Sequence, residues 1–325
     1  MNSNTAPPAV AASHSLLRKL VVYGLFAVFA VWCVTAFRKD IAQIDLHPLQ
    51  AGWGAVLLAG ALSLVNYCLR IWRWRLYMTR LGHVLPWRFV SLTYMSGFAF
   101  TLSPGKIGEM VRARYYQPHG IGLPVSGAAF FVERLLDLLA MVLLTAAALT
   151  ELHAYARFLW VALGLVGGLL AVLMLLPWAR VAAHLDARVS THRLLRPAQG
   201  MAHTLVRARA LLSPGILLGG MALGLVAWGL EAIGLKVVAD VLSPDLLGVP
   251  SAMGIYAVAI IVGALSFLPG GLGSTEFVMA GLLYAHGFTM PQAILLTLVC
   301  RLLTLWLAVV IGWYCVWVLR HSKTT

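Results

Sequence analysis

Ser103-Pro104-Gly105-Lys106-Ile107-Gly108-Glu109-Met110-Val111-Arg112 (residues 103–112) is the stretch on which the fold turns. It closes an apolar run that begins at Trp87 and opens a charged run from Lys106 to Gln117. Proline removes a backbone donor and glycine frees the chain, so Pro104-Gly105 ends any helix that precedes it. The 12 residues from Lys106 to Gln117 would rise only about 18 Å as a helix, short of a hydrocarbon core of about 30 Å. This segment enters an apolar layer without crossing it. The design recurs where Ser251 to Leu268 is apolar, Pro269-Gly270-Gly271 breaks it, and Ser274 to His286 forms a short arm.

Composition says what that layer is. The 325 residues are 61% apolar and 11% charged, against roughly 25% charged in a soluble domain, and mean hydropathy is +0.88. So few charges cannot coat a chain of 35.2 kDa. A polytopic membrane protein follows, which excludes a soluble enzyme, a nucleic-acid-binding module and a secreted disulfide scaffold. The net charge of +13 does not restore nucleic acid as a partner, because Lys and Arg sit mostly between apolar runs, as the positive-inside rule predicts. Cys33, Cys68, Cys300 and Cys315 lie in apolar stretches without metal-ligand spacing and read as small core hydrophobes, so no metal and no cofactor is expected.

Apolar runs of spanning length fall at about 20–37, 51–72, 124–148, 155–176, 214–241 and 291–318. The expected fold is an all-α polytopic membrane protein with about six full spans and two re-entrant helical hairpins. The first run, between Arg18-Lys19 and Arg38-Lys39, has no cleavage site after it and reads as a span. With both hairpins leaving on the side they entered, Arg70, Arg73, Arg75, Arg80, Arg88, the arginines of 180–209, Arg320 and Lys323 all fall on the cytoplasmic side, with both termini. The expected organisation is a disordered tail over 1–15, a membrane domain over 16–319 with a cytoplasmic basic loop at 178–212, and a cytoplasmic tail at 320–325. Arg180, His184 and Arg188 recur at i, i+4, which fits either a loop carrying topology charge or a basic face on an interfacial helix.

A shift of 167 residues superimposes the hairpin regions. Glu109 falls on Glu276, His119-Gly120 on His286-Gly287, Pro124 on Pro291, and Arg134-Leu135-Leu136 on Arg301-Leu302-Leu303, among 12 identities in 34 ungapped positions. The repeats cover about 51–148 and 218–315, and the span count inverts one relative to the other. Inverted repeats with broken helices are a transporter pattern, with the site near the midplane.

Each break sets a helix N-terminus at membrane depth, where free N–H groups attract anions. Around them stand Pro104, Gly105, Lys106, Gly108, Glu109 and Arg112 in the first hairpin, and Gly270, Gly271, Gly273, Ser274, Thr275 and Glu276 in the second. These are the expected substrate-binding residues, with Ser274 and Thr275 as N-cap candidates; a helix-dipole role for Glu109 and Glu276 stays open. Glu133, Arg134, Asp137, Glu231 and Arg301 lie inside spans, where ionisable groups must pair. Arg301 has Cys300 and Thr304 where Arg134 has Glu133 and Asp137, so it is expected to borrow Glu133, Asp137 or Glu231. Structural pairing and substrate contact both fit these five. No residue forms a catalytic constellation.

The run 103–112, then Val132-Glu133-Arg134-Leu135-Leu136-Asp137, then Leu268-Pro269-Gly270-Gly271-Leu272-Gly273-Ser274-Thr275-Glu276 and Arg301, resembles the transmembrane region of lysylphosphatidylglycerol synthases, a flippase-like family. The resemblance covers about residues 15 to 319. It implies a multi-pass protein of a bacterial-type inner membrane that moves lipids between leaflets. The expected cargo is an anionic or phosphate-bearing lipid, with lipid-biosynthesis enzymes as protein partners. The aminoacyltransferase domain of the synthase members is not found before the chain ends at Thr325, so a transporter is expected rather than an enzyme. The alternatives are a glycosyltransferase-like lipid-modifying enzyme, although no DxD pair occurs, and an accessory protein of lipid or hopanoid biosynthesis.

Overall fold

The computed structural model describes residues 42–147, 156–189 and 195–321, and every regular element in them is helical. Residues from Asp45 onward form one compact unit; Met1–Ile44 cluster separately, and nearly all of that unit, with the run at 20–37 and the tail at 1–15, lies outside the described residues.

A short helix α1 (His47–Ala51) leads into α2 (Trp53–Arg80). Its outer face carries exposed Trp53, Leu57, Leu58, Leu64, Val65 and Trp72. Its inner face buries Ser63, Asn66, Tyr67, Arg70, Arg73, Trp74 and Tyr77. Apolar outside and polar inside is the pattern of a helix whose outer solvent is lipid. Two of the arginines counted as topology charge are not exposed to solvent: Arg70 and Arg73 are 5% and 0% exposed, because α2 runs on to Arg80 and turns both inward.

α2 packs along α9 (Pro214–Leu242). Small residues on α9 allow it. A Cβ on Gly220 would meet the Tyr77 hydroxyl at 2.5 Å, and one on Gly224 would meet Arg73 Nη1 at 2.7 Å.

The first hairpin consists of α3 (Trp87–Phe98), a 3-10 segment (Pro104–Val111) and α4 (Arg112–Tyr116). α5 (Leu123–Ala147) follows, then α6 (Ala156–Leu175), α7 (Trp178–Val189) and α8 (Arg196–Ala210). The second hairpin has α10 (Val249–Leu265), a 3-10 turn (Pro269–Gly271) and α11 (Ser274–Ala285). The chain ends in α12 (Met290–Arg301), a π-helical turn (Leu302–Trp306) and α13 (Leu307–His321). The π turn leaves carbonyls free, and the Tyr67 hydroxyl donates to one of them, Thr304 O, at 2.7 Å.

Three described helices are long and apolar enough to cross a membrane: Trp53–Arg80, Pro214–Leu242 and Met290–His321. A fourth span exists if Leu163–Leu175 and Trp178–Arg188, bent by 68°, are one. α5 has the length but carries Glu133, Arg134 and Asp137 at its middle. The expected basic loop is instead two helices, α7 and α8, packed on each other and, through α8, on α5. Asp186 joins them, accepting from Gln199 Nε2 at 2.8 Å and lying 3.0 Å from His203 Nε2. Cys300 and Cys315 are buried as expected, whereas Cys68 is exposed on α2.

α3 packs on α13 and α5 on α10. At the first contact a Cβ on Gly312 would lie 2.3 Å from Ala99 N and 2.9 Å from Met95 O, both backbone atoms that cannot step aside. Gly312→Ala is therefore expected to pry α3 from α13 and destabilise by about 1–3 kcal/mol. Gly54→Ala, where nothing lies within 4 Å, should be neutral or mildly stabilising in the same thermal unfolding comparison.

Candidate functional site

Proline and glycine shape both hairpin tips. Gly105 and Lys106 adopt left-handed φ of 61° and 56°, so the chain leaves the break as a 3-10 turn and only the five residues of α4 become α-helical. The helix N-terminus expected here is 3-10 rather than α-helical. Ser103 Oγ instead accepts the Gly108 N–H at 2.7 Å. In the second hairpin Gly270 and Gly271 take the left-handed turn, with φ of 63° and 67°. α11 does begin a true helix, but its N-terminus is filled by its own Glu276, which accepts the Gly273 N–H at 2.6 Å. Gly273, not Ser274 or Thr275, is the cap residue; the Ser274 hydroxyl donates to Ser266 Oγ at 2.8 Å. The two tips touch, since a Cβ on Gly270 would lie 2.6 Å from the Leu102 side chain.

Behind the first tip lies a buried ionic cluster. Glu133, 1% exposed, accepts from Arg112 Nη2 at 2.8 Å and from the Tyr94 hydroxyl. Arg73 Nη2 reaches Asp137 at 2.5 Å, and Trp228 Nε1 donates to the same carboxylate at 3.0 Å. Arg134 lies 3.1 Å from Asp137, 3.3 Å from Glu133 and 3.8 Å from Glu109. Arg70 completes the group at 3.8 Å from Glu133 and 3.9 Å from Asp137. Four guanidiniums thus share three carboxylates. Arg112, wholly buried, stacks on Trp74 at 3.7 Å and faces Tyr94 at 4.7 Å. It serves the cluster and does not reach open space.

The five residues expected as one buried network divide. Arg301 does not borrow from Glu133, Asp137 or Glu231; its Nε donates to Glu276 at 2.6 Å and its Nη2 to Gly270 O at 2.8 Å. The reason is local. The α10–α11 hairpin folds back so that the first turn of α11 faces the end of α12, and Arg301 ties the tip down. Glu231, 4% exposed, accepts from the Tyr256 hydroxyl, and no cation lies within ion-pair distance of it among the described residues. Glu109 is also buried and accepts from Thr101 Oγ1 at 2.9 Å.

A cavity of about 300 Å³ opens between the tips, α5, α9 and α10. Its polar lining is Lys106, Arg134, Asp137, Arg301 and Thr275, with the glycine backbone of Gly105, Gly270 and Gly271. Leu138, Met141, Ile260 and Ile261 are among its apolar lining, and so are the exposed Leu265 and Phe267. Of the expected binding residues, Gly105, Lys106, Gly270, Gly271 and Thr275 line this space. Pro104, Gly108, Glu109, Arg112, Gly273, Ser274 and Glu276 do not; they shape or brace the hairpins around it.

Sequence reasoning passed over Arg70, Arg73 and Trp228. A signal for the first two was present: Glu133 and Asp137 outnumber Arg134 in their own helix, and an i, i+3 arginine pair inside a long helical run supplies the missing cations. No group of His, Cys, Asp or Glu among the described residues could hold a metal.

Comparison with curated proteins yields no match at a significant level. The family described as "Lysylphosphatidylglycerol synthase TM region" matches residues 16–312, nearly the whole chain. A helical architecture with long apolar spans, two Pro-Gly hairpins and a matching family over that length lead to one conclusion: this is a multi-pass membrane protein that belongs to the lysylphosphatidylglycerol synthase transmembrane-region family.

Proposed function

We propose that the protein moves an anionic or phosphate-bearing lipid between the leaflets of a bacterial-type inner membrane, its headgroup passing through the cavity between the hairpin tips. The observation that carries this reading is the cavity's polarity. Three cations, Lys106, Arg134 and Arg301, line it with one carboxylate, Asp137, and the remaining lining is largely apolar and includes the exposed Leu265 and Phe267. An amphiphile with an anionic head matches that lining. The volume of about 300 Å³ suits a headgroup rather than a whole lipid, so the acyl chains would stay outside among Leu265 and Phe267.

An inverted repeat supports transport. α3 on α13 and α10 on α5 are equivalent contacts under the 167-residue shift, and α2 against α9 is its own equivalent. Glu109–Arg134 and Glu276–Arg301 are equivalent ion pairs, at 3.8 and 2.6 Å. In this reading both hairpins are re-entrant, six spans surround them, both termini and the α7–α8 pair are cytoplasmic, and lipid-biosynthesis enzymes supply the cargo.

Photolabelling tests the site. A short-chain phosphatidylglycerol with a diazirine in its acyl chain should label the α5 and α10 segments around Leu138, Met141, Ile260 and Ile261, and unlabelled lipid should compete. Labelling spread evenly over the exposed faces of α2 and α13 would contradict the proposal.

A further inference from the structure

A second cavity, of about 40 Å³, adjoins the first and shares Lys106, Trp228, Ile260 and Arg301 with it. It is large enough for one or two waters and is lined by polar groups from both hairpins and three other helices. Glu231 of α9 is its one buried carboxylate without an ion-pair partner, held by the Tyr256 hydroxyl of α10. The charged and titratable groups around it are Tyr67 and Arg70 from α2, Lys106 and Glu109 from the first hairpin, and Cys300 and Arg301 from α12. Glu109 already has Thr101 and Arg134, and Arg301 already has Glu276.

Lys106 and Arg301 line both cavities. An anion in the first cavity and an ionised Glu231 in the second would draw on the same two cations. In a space of low dielectric, a second negative charge there favours the protonated form of the first. From this sharing, we infer that Glu231 is a proton site coupled to headgroup binding: a phosphodiester anion entering between the hairpin tips is accompanied by uptake of one proton from solution onto the Glu231 carboxylate. The pair enters with no net charge, and release returns the proton. By reciprocity, the anion binds more tightly where Glu231 is protonated, so its affinity falls as pH rises. The inference rests on the headgroup reading of the first cavity, and it adds the means by which a pH gradient could drive transport.

The test is calorimetric titration of the full chain in detergent, repeated in buffers of different ionisation enthalpy from about pH 6 to about pH 8. Two probes are used, dioctanoyl phosphatidylglycerol and dimethyl phosphate; both stay monoanionic over this range, so any proton uptake belongs to the protein. Uptake approaching one proton per lipid is expected, with affinity falling by up to about tenfold per pH unit. Glu231→Gln keeps the shape and should bind with neither uptake nor pH dependence. Uptake with the lipid alone identifies a lipid headgroup as the coupled anion; equal uptake with dimethyl phosphate assigns the coupling to any free phosphodiester. Tyr256→Phe removes only the hydrogen bond to Glu231 and should move the pH of half-maximal uptake, which keeps the test decisive if Glu231→Gln fails to fold. Lipid binding without uptake, uptake that persists in Glu231→Gln, or an unmoved profile in Tyr256→Phe overturns the inference and leaves the transport reading standing. Binding of neither probe overturns both.

Discussion

Glu133→Ala is expected to abolish recovery of folded protein. The carboxylate is 1% exposed and is the point on which the cluster converges: Arg112 at 2.8 Å, Arg134 at 3.3 Å, Arg73 at 3.6 Å and Arg70 at 3.8 Å. Removing one partner of a buried ion pair costs about 3–5 kcal/mol, because the opposite charge is left without compensation. Here the loss leaves four guanidiniums with Asp137 and Glu109 alone, and Arg112 has no other carboxylate within 4 Å among the described residues. The effect therefore belongs at the top of that range, about 5 kcal/mol, which equals the whole stability of a marginal domain and a third of that of a very stable one. Size-exclusion profiles and thermal unfolding in detergent decide it. A monodisperse Glu133→Ala protein unfolding near the wild-type temperature would refute the idea that this cluster holds α2, the first hairpin and α5 together.

Lys106→Gly should have the opposite balance: full stability and a large loss of transport. Lys106 has φ 56°, a conformation that costs a residue with a Cβ about 1 kcal/mol and glycine almost nothing. The substitution thus relieves the tip. It also removes a cation that lines both cavities and lies 6.0 Å from the Trp228 ring. A strained lysine where glycine would fit better is the kind of outlier kept for function. Leaflet exchange of a fluorescent phosphatidylglycerol should fall at least about tenfold, the equivalent of one charge-assisted contact of about 1.5 kcal/mol. Unchanged exchange with a raised unfolding temperature would make Lys106 a passive turn residue.

Much of the architecture could be read from the residues. Pro104-Gly105 and Pro269-Gly270 mark both breaks because proline and glycine act locally, whatever packs around them. The membrane setting followed from composition alone. The site was harder, because pairing depends on which way a helix faces. Arg70 and Arg73 look like topology charge when arginines are only counted, and their inward direction emerges from the full length of α2 and the acids of α5. Glu276 and Arg301 were both singled out, yet Arg301 was matched to acids of other spans; only the fold-back of α11 onto α12 brings the two within 2.6 Å. Placing an anion site at the first hairpin's helix N-terminus assumed that an α-helix resumes at once after Pro-Gly. With two successive left-handed residues it does not. The spacing of Arg180, His184 and Arg188 leaves loop and interfacial helix both open for α7–α8, because the packing is carried by small residues, the buried Ala182, Ala202 and Ala208, that give no strong apolar signal.

Exchange of a fluorescent phosphatidylglycerol between leaflets of protein-containing liposomes tests the central claim most directly. Dithionite quenches the outer-leaflet reporter only, so the extent of bleaching reports movement. Liposomes with the wild-type protein should lose nearly all fluorescence, and those with Lys106→Gly about half on the same timescale. Bleaching that stops at half in wild-type liposomes, as in protein-free ones, would contradict lipid movement by this protein.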